Sequence, residues 1–345
     1  MLLNRSSRPV ISADKDWERG AVLWAVTAIP DEKTGELLLY YLARFESNPL
    51  GNVLCLARSQ DGHTWLKPDC GDGTNIVMRA SGNQTGWGEF MPTSVLRNER
   101  ESNSAHRWKM VYWDRPDPSM PAGICLAVSS DGRDWKPLFQ RPIITGANDA
   151  MSMIDTVPGV QVPLGPVPFF IYQQTWKYNT KLPTDRDNMK GMHRRISIWE
   201  CNTFAGNWVG PVTILEPDGE DDPDIQFYWL TSFKTRCGGY GGLLSCHHTG
   251  DQTMDVQLVS SRDGWSWSRE NGRKPLLGLG KRGRFDCGMV YAAAQPVKWL
   301  DKVLLFYNGN ATVHDGQSHY PVDPLPNPAC GIGVAEFTDK LLIGR

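Results

Sequence analysis

The chain has 345 residues, 40% hydrophobic and 21% charged, a composition that suits a packed protein and excludes a disordered one. Its net charge is −2 and its Lys and Arg are scattered, so nucleic acid and anionic membrane surfaces have no electrostatic footprint to meet. No apolar run is long enough to span a bilayer, and Met1–Arg5 lacks a signal-peptide core. The expectation is a cytoplasmic protein, or a secreted or periplasmic one if a signal has been removed.

In chain order, Ser7–Ile11 is a Pro-marked segment of edge-strand character. A first unit then opens at Glu18, runs through apolar strands Leu37–Leu42 and Val53–Ala57, and ends in the turn Ser59-Gln-Asp61-Gly62-His-Thr-Trp65. The second opens at Glu89, with strands Trp108–Trp113 and Gly123–Ala127, the turn Ser129-Ser-Asp131-Gly132-Arg-Asp-Trp135 and an edge segment at Lys136–Phe139. The third opens at Asp149, with Pro168–Tyr172 and Arg195–Trp199 as strands and Ala205-Gly206-Asn207-Trp208 as a weaker turn. It is the longest unit, and its excess falls in a polar stretch from Lys177 to His193. The fourth opens at Asp222 and closes with Ser261-Arg-Asp263-Gly264-Trp-Ser-Trp267 and the edge segment Lys274–Leu277. The fifth opens at Asp286, carries Val303–Tyr307 and Gly333–Phe337, and ends before any such turn.

The three gap-free turns share one chemistry. Gly accepts positive φ, Asp bonds back to nearby amides, and the Trp folds beneath the turn. Short strands between Gly, Asp, Asn and Pro turns make an all-β chain. Four-stranded units repeated five times predict a five-bladed β-propeller of antiparallel strands, one domain over 1–345. Because the last unit has only three strands of its own, residues near 8–11 are expected to supply its fourth, beside 330–337. A pair of β-sandwiches is the alternative. The eight cysteines form no C-x-x-C pair and read as free thiols, with a disulfide as the alternative.

With its blade count, its S-x-D-G-x-x-W turns and one inner-strand acid per unit, nearly the whole chain resembles the five-bladed propeller glycoside hydrolases. Those are families 43, 32, 68, 117 and 130, with arabinanases, xylosidases, invertases and mannoside phosphorylases. The turns also resemble the Asp-box of sialidases, shortened by one residue because Gly directly follows Asp. The resemblance implies a site on the propeller axis, where acids from successive blades cut a glycosidic bond. By position the candidates are Glu18, Glu89, Asp149, Asp222 and Asp286. The family order of base on the first blade and acid on a later one implies Glu18 and Asp149, with Asp149 and Asp222 the firmest members.

Glycosidic cleavage needs one carboxylic acid to protonate the leaving oxygen and a second carboxylate to activate water or attack the anomeric carbon. Crowded carboxylates raise one another's pKa, so one stays protonated near neutrality. Each acid taken alone also fits a strand cap or a structural cation site. Candidate substrate contacts are Asp155, Arg195, Tyr228, His247 and His314, with Trp87 and Trp176, which sit outside the repeated turns. His247, His248 and His314 lack metal-ligand spacing, so no metal or other cofactor is expected. No phosphate loop and no G-x-S-x-G elbow is present. The expected function is a glycoside hydrolase acting on a terminal bond of an oligo- or polysaccharide, with the Lys177–His193 stretch lidding the mouth. The alternatives are a glycoside phosphorylase, a carbohydrate-binding propeller without catalysis, and a scaffold for protein partners.

Overall fold

The computed structural model of the chain describes residues 2–45, 51–85, 89–99, 101–146, 148–156, 169–178, 187–189, 191–317 and 325–343. Over these residues the fold is all-β apart from short 3-10 turns and one α-helical turn, Lys340–Ile343.

The turns form as their sequences dictate. In each, the Asp carboxylate accepts from the two amides two and three residues on. The distances are 2.7 and 2.7 Å at Asp61, 2.8 and 3.0 Å at Asp131, and 2.8 and 2.8 Å at Asp263. The Trp indole then donates back to the turn Gly carbonyl, at 3.2, 3.0 and 3.0 Å. Gly132 has φ +78°, and a Cβ there would lie 2.3 Å from the Tyr40 hydroxyl of the preceding unit. Only Gly satisfies both the handedness and the contact. Tyr40 donates to the Gly132 carbonyl at 2.8 Å, and Tyr172 does the same for Gly264 at 2.9 Å, so each turn doubles as a joint between units.

The first unit pairs Val22–Asp31, Glu36–Arg44, Val53–Ser59 and Ile76–Arg79 in order. The third does so with Met151–Asp155, Phe169–Tyr178, Met192–Cys201 and Val209–Leu215. In the second, Met91–Arg97, Trp108–Asp114 and Gly123–Ser129 are followed by two short edge pieces, Lys136–Pro137 and Ile144–Thr145. The fourth unit (Ile225–Lys234, Tyr240–His248, Thr253–Ser261, then short edge pieces) and the fifth (Met289–Ala292, Lys302–Asn310, Cys330–Phe337) join through one parallel bridge, Met254 to Met289.

The second strand of a unit is buried on both faces, which is why Leu37–Ala43 reads as an unbroken apolar run. Leu38, Tyr40 and Leu42 pack into a core shared with the second unit. Leu37, Leu39, Tyr41 and Ala43 pack into one shared with Phe306 and Val334 of the fifth. The innermost strands are linked by bonds from unit to unit. Val95 N–H donates to Thr27 Oγ1 at 3.0 Å, Met153 N–H to Ser94 Oγ at 3.0 Å, Ser152 Oγ to the Leu230 carbonyl at 2.5 Å, and Thr231 Oγ1 to the Ala293 carbonyl at 3.2 Å. Ala294 N–H donates back to the Val26 carbonyl at 2.8 Å.

The N-terminal segment pairs with Cys330–Phe337, but mainly through residues earlier than the sequence suggested. Leu2–Arg5 forms the strand, with Leu2 opposite Phe337 and Arg5 opposite Ala335. Ile11 adds a single bridge to Ile332. All eight cysteines are free thiols, five of them buried. Lys177 and Tyr178, and Met192 and His193, are strand rather than loop, paired Lys177 to His193 and Tyr178 to Met192. Most of the expected lid between them, including Asp185 and Arg186, lies outside the described residues.

Candidate active site

The inner strands open at one end onto a cavity of about 710 Å³. Trp24, Tyr228, Trp229 and Tyr291 give it aromatic walls, with Trp24 and Tyr291 stacked at 5.7 Å between ring centroids. Arg44, Glu89, Asn148, Asp149, Gln174, Arg194, His314 and Asp315 supply its polar lining.

Glu89 and Asp149 occupy matching places, each two residues before the first paired residue of its inner strand, Met91 or Met151. Asp149 is fixed by its neighbours. Asn148 accepts the Ala150 amide at 2.7 Å and donates to Gln174 Oε1 at 2.9 Å, and Ala150 accepts the Gln174 amide at 2.8 Å. Although Asp149 keeps some exposure to the cavity, protein surrounds it closely, and burial pushes its carboxyl up to about 6. The charge of Glu89 adds to that rise, while backbone amides and Arg44 oppose it.

Glu89 moves the other way. Burial favours its neutral form, but hydrogen bonds from Arg44 and Asn52 and the Arg44 charge outweigh this and hold it below the usual range. Arg44 grips both oxygens, Nε to Oε2 at 2.8 Å and Nη2 to Oε1 at 3.3 Å, and Asn52 Nδ2 reaches Oε2 at 2.9 Å. Two neighbouring carboxyls with pKa values pushed apart form an acid and a fixed negative charge. Replacing Arg44 by Met should lift the Glu89 carboxyl, because it removes the charge and the hydrogen bonds that hold it down. The acidic limb of the pH–rate profile should then move to higher pH, and an unmoved limb would remove Glu89 from the titrating set.

The other three repeat acids do not reach the cavity. Glu18 is fully buried and bonds Tyr41 Oη at 2.8 Å, Lys67 Nζ at 2.5 Å and the Asp14 and Lys15 amides. Asp286 is also fully buried, against Tyr307 Oη at 2.8 Å and Arg5 at 2.7 Å. Each clasps a Tyr on the second strand of its own unit, so their repeat equivalence is structural. Asp222 is exposed, three residues before Ile225, and lines no part of the cavity. Asp155 sits at the far end of its inner strand, paired with Lys234 at 2.5 Å. Arg195 points away and meets Glu216 at 3.5 Å.

Arg194, not Arg195, faces inward, because alternate residues of a strand take opposite faces. Its guanidinium holds Asp187 through two bonds of 2.6 and 2.9 Å, and contacts Gln226 Oε1 at 2.9 Å and His247 Nδ1 at 3.4 Å. Tyr228 and His314 line the cavity, with His314 Nε2 3.2 Å from Tyr228 Oη. Burial lifts the Tyr228 hydroxyl to about 12 and lowers His314 to about 4. His247 lies behind them, fully buried, and burial drives it well below the usual range too. Asp187, His247 and His314 offer ligand atoms within 4.8 Å of one another. Arg194 already occupies both Asp187 oxygens, so this group has its positive charge without an ion. Trp87 lies outside the described residues. Trp176 lines a separate, adjoining cavity.

No protein-family model matches the sequence, and no curated protein matches it. Solved structures do match in fold. The fold is one used by glycoside hydrolases. One structure described as a glycoside hydrolase aligns over 97% of this chain and 92% of its own, with a TM-score of 0.64 at 13% identity. A thermostable family-43 glycoside hydrolase aligns over 92% and 88%, at 0.54 and 14%. A third comes from family 130, mannoside phosphorylases that include hydrolases targeting β-1,2-mannosidic linkages in Candida mannan. It aligns over 99% and 95%, at 0.60 and 13%. At such identities the likeness is one of fold.

Proposed function

We propose that the chain is a single five-bladed propeller over 1–345, closed by its N-terminal strand, and that it hydrolyses a terminal glycosidic bond of a carbohydrate. The observation that carries this reading is the Asp149 carboxyl raised to about 6 beside a Glu89 held ionised, at the wall of an aromatic-lined cavity. Asp149 donates its proton to the leaving oxygen as the bond from the anomeric carbon to that oxygen breaks. Glu89 keeps Asp149 protonated, and its charge stabilises the oxocarbenium-like transition state. With Arg44 on both oxygens Glu89 is a weak base, so the attacking water gives its proton to Asp315, the remaining carboxylate among the described residues of the lining. A base acting through water implies inversion at the anomeric carbon.

The test is a screen against neutral oligosaccharides, with the first-formed product anomer read by NMR. Inversion is expected. Retention would remove Asp315 as the base, and no turnover of any glycoside would remove the hydrolase.

A phosphorylase remains the second reading because Arg44, Arg194 and His314 line the same cavity. Both guanidiniums are already paired with carboxylates, which favours water over phosphate as the nucleophile. Release of a sugar 1-phosphate only when inorganic phosphate is added would reverse that preference.

A further inference from the structure

A second cavity, of about 490 Å³, lies beside the first, between the second and third units. Its lining includes Trp113, Arg115, Pro121, Trp176, Met189 and Met192. Met189 lines both cavities, so the two adjoin. We propose that this cavity receives the leaving-group sugar, so that the substrate runs outward from the axis between these two units. The proposal rests on the hydrolase reading and adds where the departing half of the substrate sits and what chemistry it has.

Three observations carry it. The first is direction. Glu89 opens the second unit's inner strand and Asp149 the third's, so the acid stands at the boundary that the second cavity occupies. A proton leaving Asp149 meets a leaving oxygen on that side.

The second is that the aromatic wall and the acid are fixed by one amide. Trp176 Nε1 donates to Gln174 Oε1 at 3.1 Å, and that oxygen also accepts from Asn148, next to Asp149, at 2.9 Å. Gln174 Nε2 is anchored on the Tyr228 carbonyl at 2.8 Å. A ring stacked on Trp176 is therefore held in register with the proton donor, which is the positional demand of catalysis.

The third is charge. Among the described residues of the wall the cation is Arg115, which spends its guanidinium on three carbonyls, those of Met120 at 2.8 Å, Gln84 at 2.9 Å and Pro118 at 2.7 Å. It braces the rim and does not present a fork to an acidic sugar. The part-exposed indole of Trp176, two thioethers and a proline suit the apolar face of a neutral sugar ring, with the buried Trp113 behind them. The volume lies within the range of small-molecule sites. The scissile bond thus joins the terminal residue to another neutral saccharide rather than to a small alcohol.

The experiment compares neutral arabino-, xylo- and manno-trisaccharides with the matching glycosyl fluorides, in wild type, Trp176→Ala and Trp176→Phe. A fluoride fills only the terminal-sugar position and leaves the second cavity empty. The expected result is a fall of about tenfold or more in the ratio of trisaccharide to fluoride kcat/KM for the Ala variant, with most of it restored by Phe. An unchanged ratio overturns the subsite while leaving the hydrolase intact. If wild type turns over neither probe, the hydrolase reading fails on its own. The subsite is then judged by calorimetry with the trisaccharides, where weaker binding to the Ala variant supports it and equal binding overturns it.

Discussion

Replacing Asp149 by Asn should reduce turnover of oligosaccharides by roughly 10²–10⁴-fold, the usual contribution of a positioned general acid. The same substitution should make the protein more stable at neutral pH. The reason is the direction of the shift. The carboxyl rises from 3.8 to about 6 on folding, so between those values the folded state binds the proton more tightly than the unfolded chain. Stability contributed by this group is therefore largest at low pH and falls as pH rises through about 6, leaving a penalty at neutrality. At about 1.4 kcal/mol per unit the penalty is at most about 3 kcal/mol, less whatever the cavity's solvent screens. An amide of the same shape removes the charge and hence the penalty.

The measurements are thermal or denaturant unfolding of both proteins at pH 5 and 7.5, beside kcat on a poor and a good leaving group. The gain in stability should be larger at pH 7.5. Wild-type activity should fall as pH rises past about 6, because the acid must carry its proton. Glycosyl fluorides, which need little protonic help, should lose far less in the variant. An Asn variant that is fully active, or destabilised at pH 7.5, would end the assignment of Asp149 as the buried acid.

The turns were legible because their chemistry is local. Asp131 bonds its own loop and Trp135 bonds the Gly132 carbonyl, and nothing distant is needed to form either contact. The strands were legible for a related reason, since burial on both faces leaves long apolar runs. The acids were legible only as a set, because the repeat marks the start of each inner strand but not the face a side chain takes. Glu89 and Asp149 share one offset from their strands and meet. Asp222 and Asp286 sit one residue further back, and Glu18 lies within a 3-10 turn, Asp16–Glu18. One residue of offset turns a side chain to the opposite face, and the same parity separates Arg194 from Arg195. Trp24 was readable in principle, as a tryptophan on an inner strand outside the turns. Asp187 and Asp315 sit in connections whose course no periodicity fixes. Their place beside the histidines depends on Arg194 and on where the fifth unit closes.

Asp286→Ala should lower stability by about 3–5 kcal/mol, the range for breaking a buried ion pair by removing one partner. Asp286 is fully buried, and its Oδ2 lies 2.7 Å from Arg5 and accepts from Tyr307 at 2.8 Å. Arg5 in turn stacks over the Tyr307 ring at 4.8 Å and donates to the Gly278 carbonyl at 2.5 Å. The substitution strands that guanidinium, which is what makes one-sided removal costly. Arg5 ends the strand Leu2–Arg5, which pairs with Cys330–Phe337 across nearly the whole length of the chain. The destabilisation should therefore begin at the N-terminal segment, seen as early loss of amide protection for residues 2–5 and 333–337 in hydrogen exchange. Arg5→Met should cost less, since Asp286 keeps Tyr307 and Arg284. The double variant should fall well short of the sum of the two, because the residues share one contact. Since Asp286 faces the clasp and not the cavity, kcat of the folded variant should match wild type. A stable Asp286→Ala protein without turnover would return Asp286 to the catalytic set and show that the repeat's acids act at the axis after all.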